Sequence, residues 1–438
     1  MRYDTIIIGG GPAGLMAAIA ASRHPGVRVL LVDKGDKLGR KLAISGGGRC
    51  NVTNNRDIEA MIRNIPGNGR FLYSALSTFG SKDIIAFFER LGIRLKEEDR
   101  GRMFPVSDKA KTVVDALVGQ VRRQGVDIRV NSPVQKVIYE NGRTAGILLK
   151  SGERIDATCV IIATGGKSAP KTGSTGDGYI WAAEAGHTIT ELYPTEVPLT
   201  SDEPFIKSRE LQGLALRDIV MTVWDPRGKK VIEHDGDVLF THFGLSGPVA
   251  LRCSQFVVKT LKRFGAKSVT VTIDLFPDKT EETVYRETLG LSQAEPKKTV
   301  KNVLKRYVPD RLAPLLLRSA GIPEDMTFDH IPKRPWAELA RRIKAFPVQI
   351  SGTLSIEEAF VTGGGVHLKE VDPKTMQSKL VKGLFFCGEI LDVHGYTGGY
   401  NITAAFSTGF TAGKSAAELC LEALKGPPQQ PRRDETDA

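Results

Sequence analysis

Apolar residues at the start of the chain come in short blocks: Tyr3 to Ile8, Leu15 to Ala20 and Val29 to Val32. The first and third have the length of buried strands, and the second has the character of a buried helix. Phe79, Ile84, Ile85, Phe87, Phe88 and Leu91 recur at helical spacing within residues 71–92, and residues 112–124 repeat that pattern. A strand is predicted at Val126 to Val130. A two-stranded meander is predicted at 134–151, turning at Asn141-Gly142, a pair favoured in tight hairpins. Cys159 to Ile162 is a fully apolar strand running into Gly165-Gly166. From about Pro194 the pattern changes. Residues 219–224 and 269–275 alternate as antiparallel strands do, whereas 281–346 is helical and basic. Glycine-rich α/β texture returns at Ser351, with a strand at Leu384 to Phe386 and a long helix from Asn401 to Leu424.

The glycines between the first blocks change this picture. Gly9, Gly11 and Gly14 join a strand to a helix, and Asp33 ends the next strand, roughly 20 positions on, which is the complete fingerprint of a dinucleotide-binding βαβ unit. Gly9 permits the tight turn, Gly11 lets a pyrophosphate approach the backbone, and Gly14 lets helix and strand pack closely. Asp33 is placed to accept from ribose hydroxyls. A second glycine turn, Gly395 to Asn401, opens the last helix just after Gly388-Glu389 and Asp392. Its free N–H groups and positive dipole end suit the negative charge of a reduced flavin. A nicotinamide enzyme needs no such second turn, so the pair points to FAD. The expected fold class is α/β, with a Rossmann-like FAD domain split between 1–193 and 353–425. A β-rich insert at 194–280, completed by 345–352, a small helical subdomain at 281–344 and a disordered tail at 426–438 complete the organisation.

Composition narrows the surroundings. The chain has 438 residues and a formal net charge of +11, which favours polyanionic partners. No apolar run reaches the roughly 18 residues of a membrane helix, and the N-terminal run is too short for a signal peptide. Five cysteines, Cys50, Cys159, Cys253, Cys387 and Cys420, are scattered without a CxxC pair. That spacing speaks against a disulfide framework, a zinc site and dithiol chemistry, and for a reducing cytoplasm. No metal site is expected.

The longest glycine segment, Gly39 to Asn54, reads as a loop. Gly46-Gly47-Gly48 within it, flanked by Ser45, Arg49 and Asn51, forms a backbone nest for an anion or a flat ring. The strand ending in Ala163-Thr164-Gly165-Gly166 resembles the return strand of glutathione-reductase-like flavoenzymes. Gly173 to Gly178 resembles a turn of the fumarate reductase branch. With Gly363-Gly364-Gly365, Gly388-Glu389, Gly398 to Asn401 and Thr241 to Pro248, the chain closely resembles the BaiN-like, aminoacetone-oxidase-like family of bacterial FAD flavoproteins. Cofactor contacts are expected at Gly9, Gly11, Pro12, Ala13, Gly14, Asp33, Lys34, Arg40, Lys41, Ser45, Gly46, Gly47, Gly48, Asn51, Val134, Thr164, Gly165, Gly388, Glu389, Asp392, Gly398, Gly399, Tyr400 and Asn401.

That resemblance implies an FAD-dependent oxidoreductase but several substrates: small aminoketones, steroid-like acids, or a uridine of ribosomal RNA. No second glycine fingerprint follows, so NADH or NADPH would act only as a transient electron donor. Catalytic candidates are few. Cys50 beside Arg49 is a thiol whose pKa the guanidinium would lower. Arg49 would bind an anionic substrate or stabilise reduced flavin, or else pair with a loop acid. His242 and His394 are the candidate proton carriers, or else hydrogen-bonded turn histidines. Basic clusters at Arg94, Lys96, Arg100, Arg102, Lys109 and Lys111, in a segment without predicted structure, and at Lys297, Lys298, Lys301, Lys305 and Arg306 favour ribosomal RNA slightly over a small metabolite. Solvated helix faces are the alternative, and a flavin-bound RNA assembly factor without catalysis is the third reading. No membrane partner is expected.

Overall fold

The computed structural model describes residues 2–327 and 330–425; the tail expected to be disordered, 426–438, lies outside them. The chain divides into two compact units, Met1–Leu192 with Val361–Ala438, and Tyr193–Phe360.

The first unit is built on a seven-stranded sheet. Arg2–Ile8 lies at its centre, parallel to Val29–Val32 on one side and to Arg154–Ile162 on the other. Asp127–Arg129 and Leu384–Phe386 extend the parallel set outward. The central strands are buried on both faces, hence their unbroken apolar sequence. The predicted meander is present as Val134–Glu140 and Arg143–Leu149, with Asn141 and Gly142 both at positive φ in the turn.

The helix Pro12–Ala21 packs against the C-terminal helix Tyr400–Lys425 with little side chain between them. A Cβ on Gly409 would run into the backbone carbonyl of Ala13, and one on Gly413 into that of Ala17. Gly14 in turn lies against the Gly9 carbonyl, and Gly9 against Ala163. Four parallel strands therefore end side by side, and their C-terminal ends, where open α/β sheets take ligands, carry the glycine turn, Asp33, Thr164 and Gly388.

Two expectations differ. Residues 39–54 are not loop throughout: Arg40–Gly48 is helical, kinked where Ser45 leaves helical geometry and Gly46 and Gly47 take positive φ. The segment around Arg94 to Lys111, read as lacking structure, forms the hairpin Leu95–Glu98 and Arg102–Pro105, joined by Thr53–Asn54. Its strands are too short and charged to give an alternation signal.

The second unit holds another seven-stranded sheet, in which every pairing is antiparallel. The helix Pro248–Phe264 covers it with Val249, Ala250, Cys253 and Val257. One apolar core runs from Met221, Val271 and Val348 of the sheet into Leu316, Trp336 and Ile343 of the helices. His234 is sequestered in this unit, and burial lowers its pKa to about 4.

Gly409→Val should cost at least about 2 kcal/mol in chemical denaturation. Gly290→Ala, in an exposed helix with open space at the Cβ position, should be neutral or stabilising by about 0.5–1 kcal/mol. A His held below its ordinary pKa leaves the unfolded state binding more protons as pH falls from 6.5 towards 4, so stability drops across that window. His234→Gln should flatten that part of the stability–pH curve.

Candidate functional site

At the first end of the site, the helix Pro12–Ala21 begins at Gly11 with no side-chain cap, so its N–H groups point past the strand ends. Gly9 and Gly14 are required by packing within the protein. Gly11 is not: its φ is −77° and a Cβ there would meet nothing within 4 Å. The open space fits a group that approaches the backbone, as a pyrophosphate does. Pro12 and Ala13 start the helix, and Gly388 lies against Ala13 with its N–H donated to Thr408 Oγ1 at 2.9 Å.

Asp33 accepts from the N–H of Gly10 and of Gly35, each at 2.7 Å. It thus holds the glycine turn in shape, and each oxygen retains lone-pair capacity for a ribose hydroxyl. The carbonyl of Asp33 accepts from Ser132 N, which brings the start of the meander at Val134 to the same end. Lys34 pairs with Asp177 at 2.6 Å, and Arg40 with Asp36.

A buried polar junction lies beside the return strand. Glu389 accepts from Lys41 Nζ at 2.7 Å, Ser168 Oγ at 2.9 Å and Thr362 N at 2.8 Å. Lys41 also donates to Ser168. Sequence reasoning named Lys41 and Glu389 separately and missed Ser168 and Thr362, which carry no motif. Near by, Gly165 takes positive φ, and buried Thr164 Oγ1 has no hydrogen-bond partner within the protein.

The other end joins segments more than 340 residues apart. Asn54 Nδ2 donates to Gly398 O at 2.9 Å, and Thr53 and Thr403 share a hydroxyl hydrogen bond of 2.7 Å. Gly399 has no room for a Cβ beside Thr53 and Asn51. Asn401 locks the turn by accepting from Gly395 N and donating to the carbonyls of Gly395 and Tyr396. Tyr400 is buried at the helix start, and Asp392 passes its carbonyl to Asn68. Ser45 donates to Leu42 O. After it Gly46, Gly47 and Gly48 all have positive φ, and Cβ atoms on Gly47 and Gly48 would meet only open space. Asn51 Oδ1 is buried without a partner. A flat polar ring fits this nest, helix N-terminus and orphan acceptor. The residues present therefore fit FAD at both ends.

The catalytic candidates fare differently. Cys50 is fully buried, and its pKa is pushed up to about 12 by burial rather than lowered by Arg49. The guanidinium is occupied elsewhere: it binds Glu98 and Asp108 and stacks 4.2 Å from the Phe104 ring. That is the loop-acid pairing, and it raises the pKa of Arg49. His394 is 1% exposed, its ring packed on Gly67. His242 is exposed in a turn of the second unit, edge-on to Phe243 at 4.9 Å.

The basic clusters are largely neutralised locally. Lys96 pairs with Asp108, Arg102 with Asp99, Lys111 with Asp115, Lys298 and Arg306 with Glu295, Lys301 with Glu324 and Lys305 with Asp310.

Residues 3–415 match the HI0933-like protein Rossmann domain family. The chain belongs to this family. The ribosomal RNA dihydrouridine synthase of Escherichia coli is 35% identical over 93% of this chain and 96% of its own. The 3-dehydro-bile acid delta(4,6)-reductase of Clostridium scindens is 32% identical over 94% and 98%. A 3-ketosteroid-delta4-(5alpha)-dehydrogenase from Rhodococcus jostii shares the fold, with a TM-score of 0.52, 17% identity and coverage of 95% and 97%. The family member described here is an FAD-dependent oxidoreductase. No helix among the described residues is long and apolar enough to cross a membrane.

Gly11→Ala should leave the unfolding midpoint of the FAD-stripped protein unchanged and weaken FAD retention at least about tenfold, about 1.4 kcal/mol, as read by flavin absorbance after gel filtration. Alkylation of the folded protein at pH 8 should leave Cys50 unmodified; rapid labelling there would show an accessible thiolate.

Proposed function

We propose that this oxidoreductase reduces the carbon–carbon double bond of a uridine in ribosomal RNA, with NADH or NADPH as transient electron donor. The observation that carries the proposal is the near full-length match to a relative named for dihydrouridine synthesis, at 35% identity. The net charge of +11 agrees with a polyanionic substrate. Such an enzyme would work in the cytoplasm.

The flavin, when bound, supplies a hydride to one carbon of the double bond, while the neighbouring carbon takes a proton. The chain's own contributions are electrostatic and positional. The N-terminus of the helix Tyr400–Lys425 and the Gly46 to Gly48 nest present N–H groups to developing negative charge. The junction of Lys41, Ser168, Thr362 and Glu389 holds the return strand and the last turn in one place.

A second reading is reduction of a small unsaturated ketone. The bile acid reductase match and the local pairing of most clustered cations favour it. Both substrates present a double bond conjugated to a carbonyl, so the site chemistry is shared and recognition differs.

The FAD-loaded protein should be incubated anaerobically with NADPH, then with large-subunit ribosomal RNA or a steroid enone. RNA reduction predicts a uridine heavier by about two mass units. Consumption of the enone with unmodified RNA would establish the second reading instead.

A further inference from the structure

Two of the five cysteines meet. Cys159 lies on the strand Arg154–Ile162 and Cys420 on the C-terminal helix, 261 residues apart, and their sulfurs are 3.4 Å from each other. Both side chains are buried. Cys420 Sγ also lies 3.2 Å from Asp4 O and 3.7 Å from Thr5 Oγ1, and Cys159 Sγ lies 3.7 Å from Ala416 O. Neither residue touches the glycine turns of the cofactor site. The linear spacing gave no hint of this meeting.

We propose that Cys159 and Cys420 form a thiol oxidation site that takes a hydroperoxide and closes to an intramolecular disulfide. The first step transfers one oxygen from hydrogen peroxide to the Cys420 sulfur, giving a sulfenic acid and water. In the second, the Cys159 sulfur attacks that sulfur, the S–O bond breaks and the departing hydroxyl leaves as a second water. Two thiols are oxidised and one peroxide is reduced.

Three observations support the assignment. The sulfurs need approach by little more than an ångström to reach bonding distance, about 2.05 Å. The contact between the two sulfurs splits the pair, lowering the pKa of Cys420 and raising that of Cys159, whereas burial raises those of Cys50, Cys253 and Cys387. Cys420 is accordingly assigned the first attack on peroxide and Cys159 the second. A cavity of about 850 Å³ at the opposite end of the sheet from Gly11 reaches Thr158 and Leu419, the chain neighbours of the two cysteines.

The disulfide would tie the strand ending at Ala163 to the helix beginning at Tyr400, raising resistance to unfolding. The FAD-loaded full chain should be exposed to hydrogen peroxide, denatured, alkylated and mapped by mass spectrometry. The proposal predicts that alkylatable thiols fall from five to three. It also predicts a Cys159–Cys420 crosslinked peptide and a guanidinium midpoint raised until dithiothreitol is added. Cys159→Ser should trap a dimedone-reactive sulfenic acid at Cys420. Five alkylated thiols in the treated wild type, or crosslinks through other cysteines, would overturn it. The wild-type map stands whether or not the variants fold.

Discussion

Backbone-to-backbone contact through glycine is the constraint on which the first unit depends. Gly409 and Gly413 let the last helix lie on the carbonyls of Ala13 and Ala17, Gly14 lets the first helix close on Gly9, and Gly9 lets the first strand meet Ala163. Each contact replaces a side chain with direct van der Waals packing of main chain. Together they hold the first helix, the strand that runs into Ala163 and the last helix at one spot. A methyl group at any of these positions would separate strand ends that must stay adjacent for their turns to face one ligand. The chain accepts the intrinsic cost of glycine within a helix, about 1 kcal/mol at each position, because nothing larger fits.

Much of this was legible in the sequence, for a local reason. Gly9, Gly11 and Gly14, Asp33, and the turn before the last helix are motifs whose spacing reports backbone geometry, and the βαβ unit and the meander turn at Asn141-Gly142 follow from nearest-neighbour chemistry. The contacts that close the site were hidden because they join residues hundreds apart. Ser168 and Thr362 have no signature until Glu389 reaches them. Asn54 is unremarkable until it meets Gly398. Gly409 and Gly413 did offer a cue, four residues apart and so on one face of a helix, that marks close helix packing.

Folding also pairs charges that are far apart in the chain. Counting lysines and arginines along the chain finds basic clusters, but folding places Glu98, Asp108, Glu295 and Glu324 among them. Arg49 is the clearest case. In sequence it flanks a thiol and a glycine nest; in the fold it stacks on Phe104 between two carboxylates, and Cys50 below is left in an apolar setting that favours the neutral thiol. The segment thus supports the nest through Arg49, Glu98, Asp108 and Phe104.

If one cofactor spans both chain-distant glycine turns, its binding must be felt at both. Hydrogen exchange of the FAD-loaded protein against the FAD-stripped protein tests it most directly. Simultaneous protection of residues 9–14, 46–51 and 398–401 is expected on loading. Protection confined to 9–14, with the other two segments exchanging as before, would contradict it.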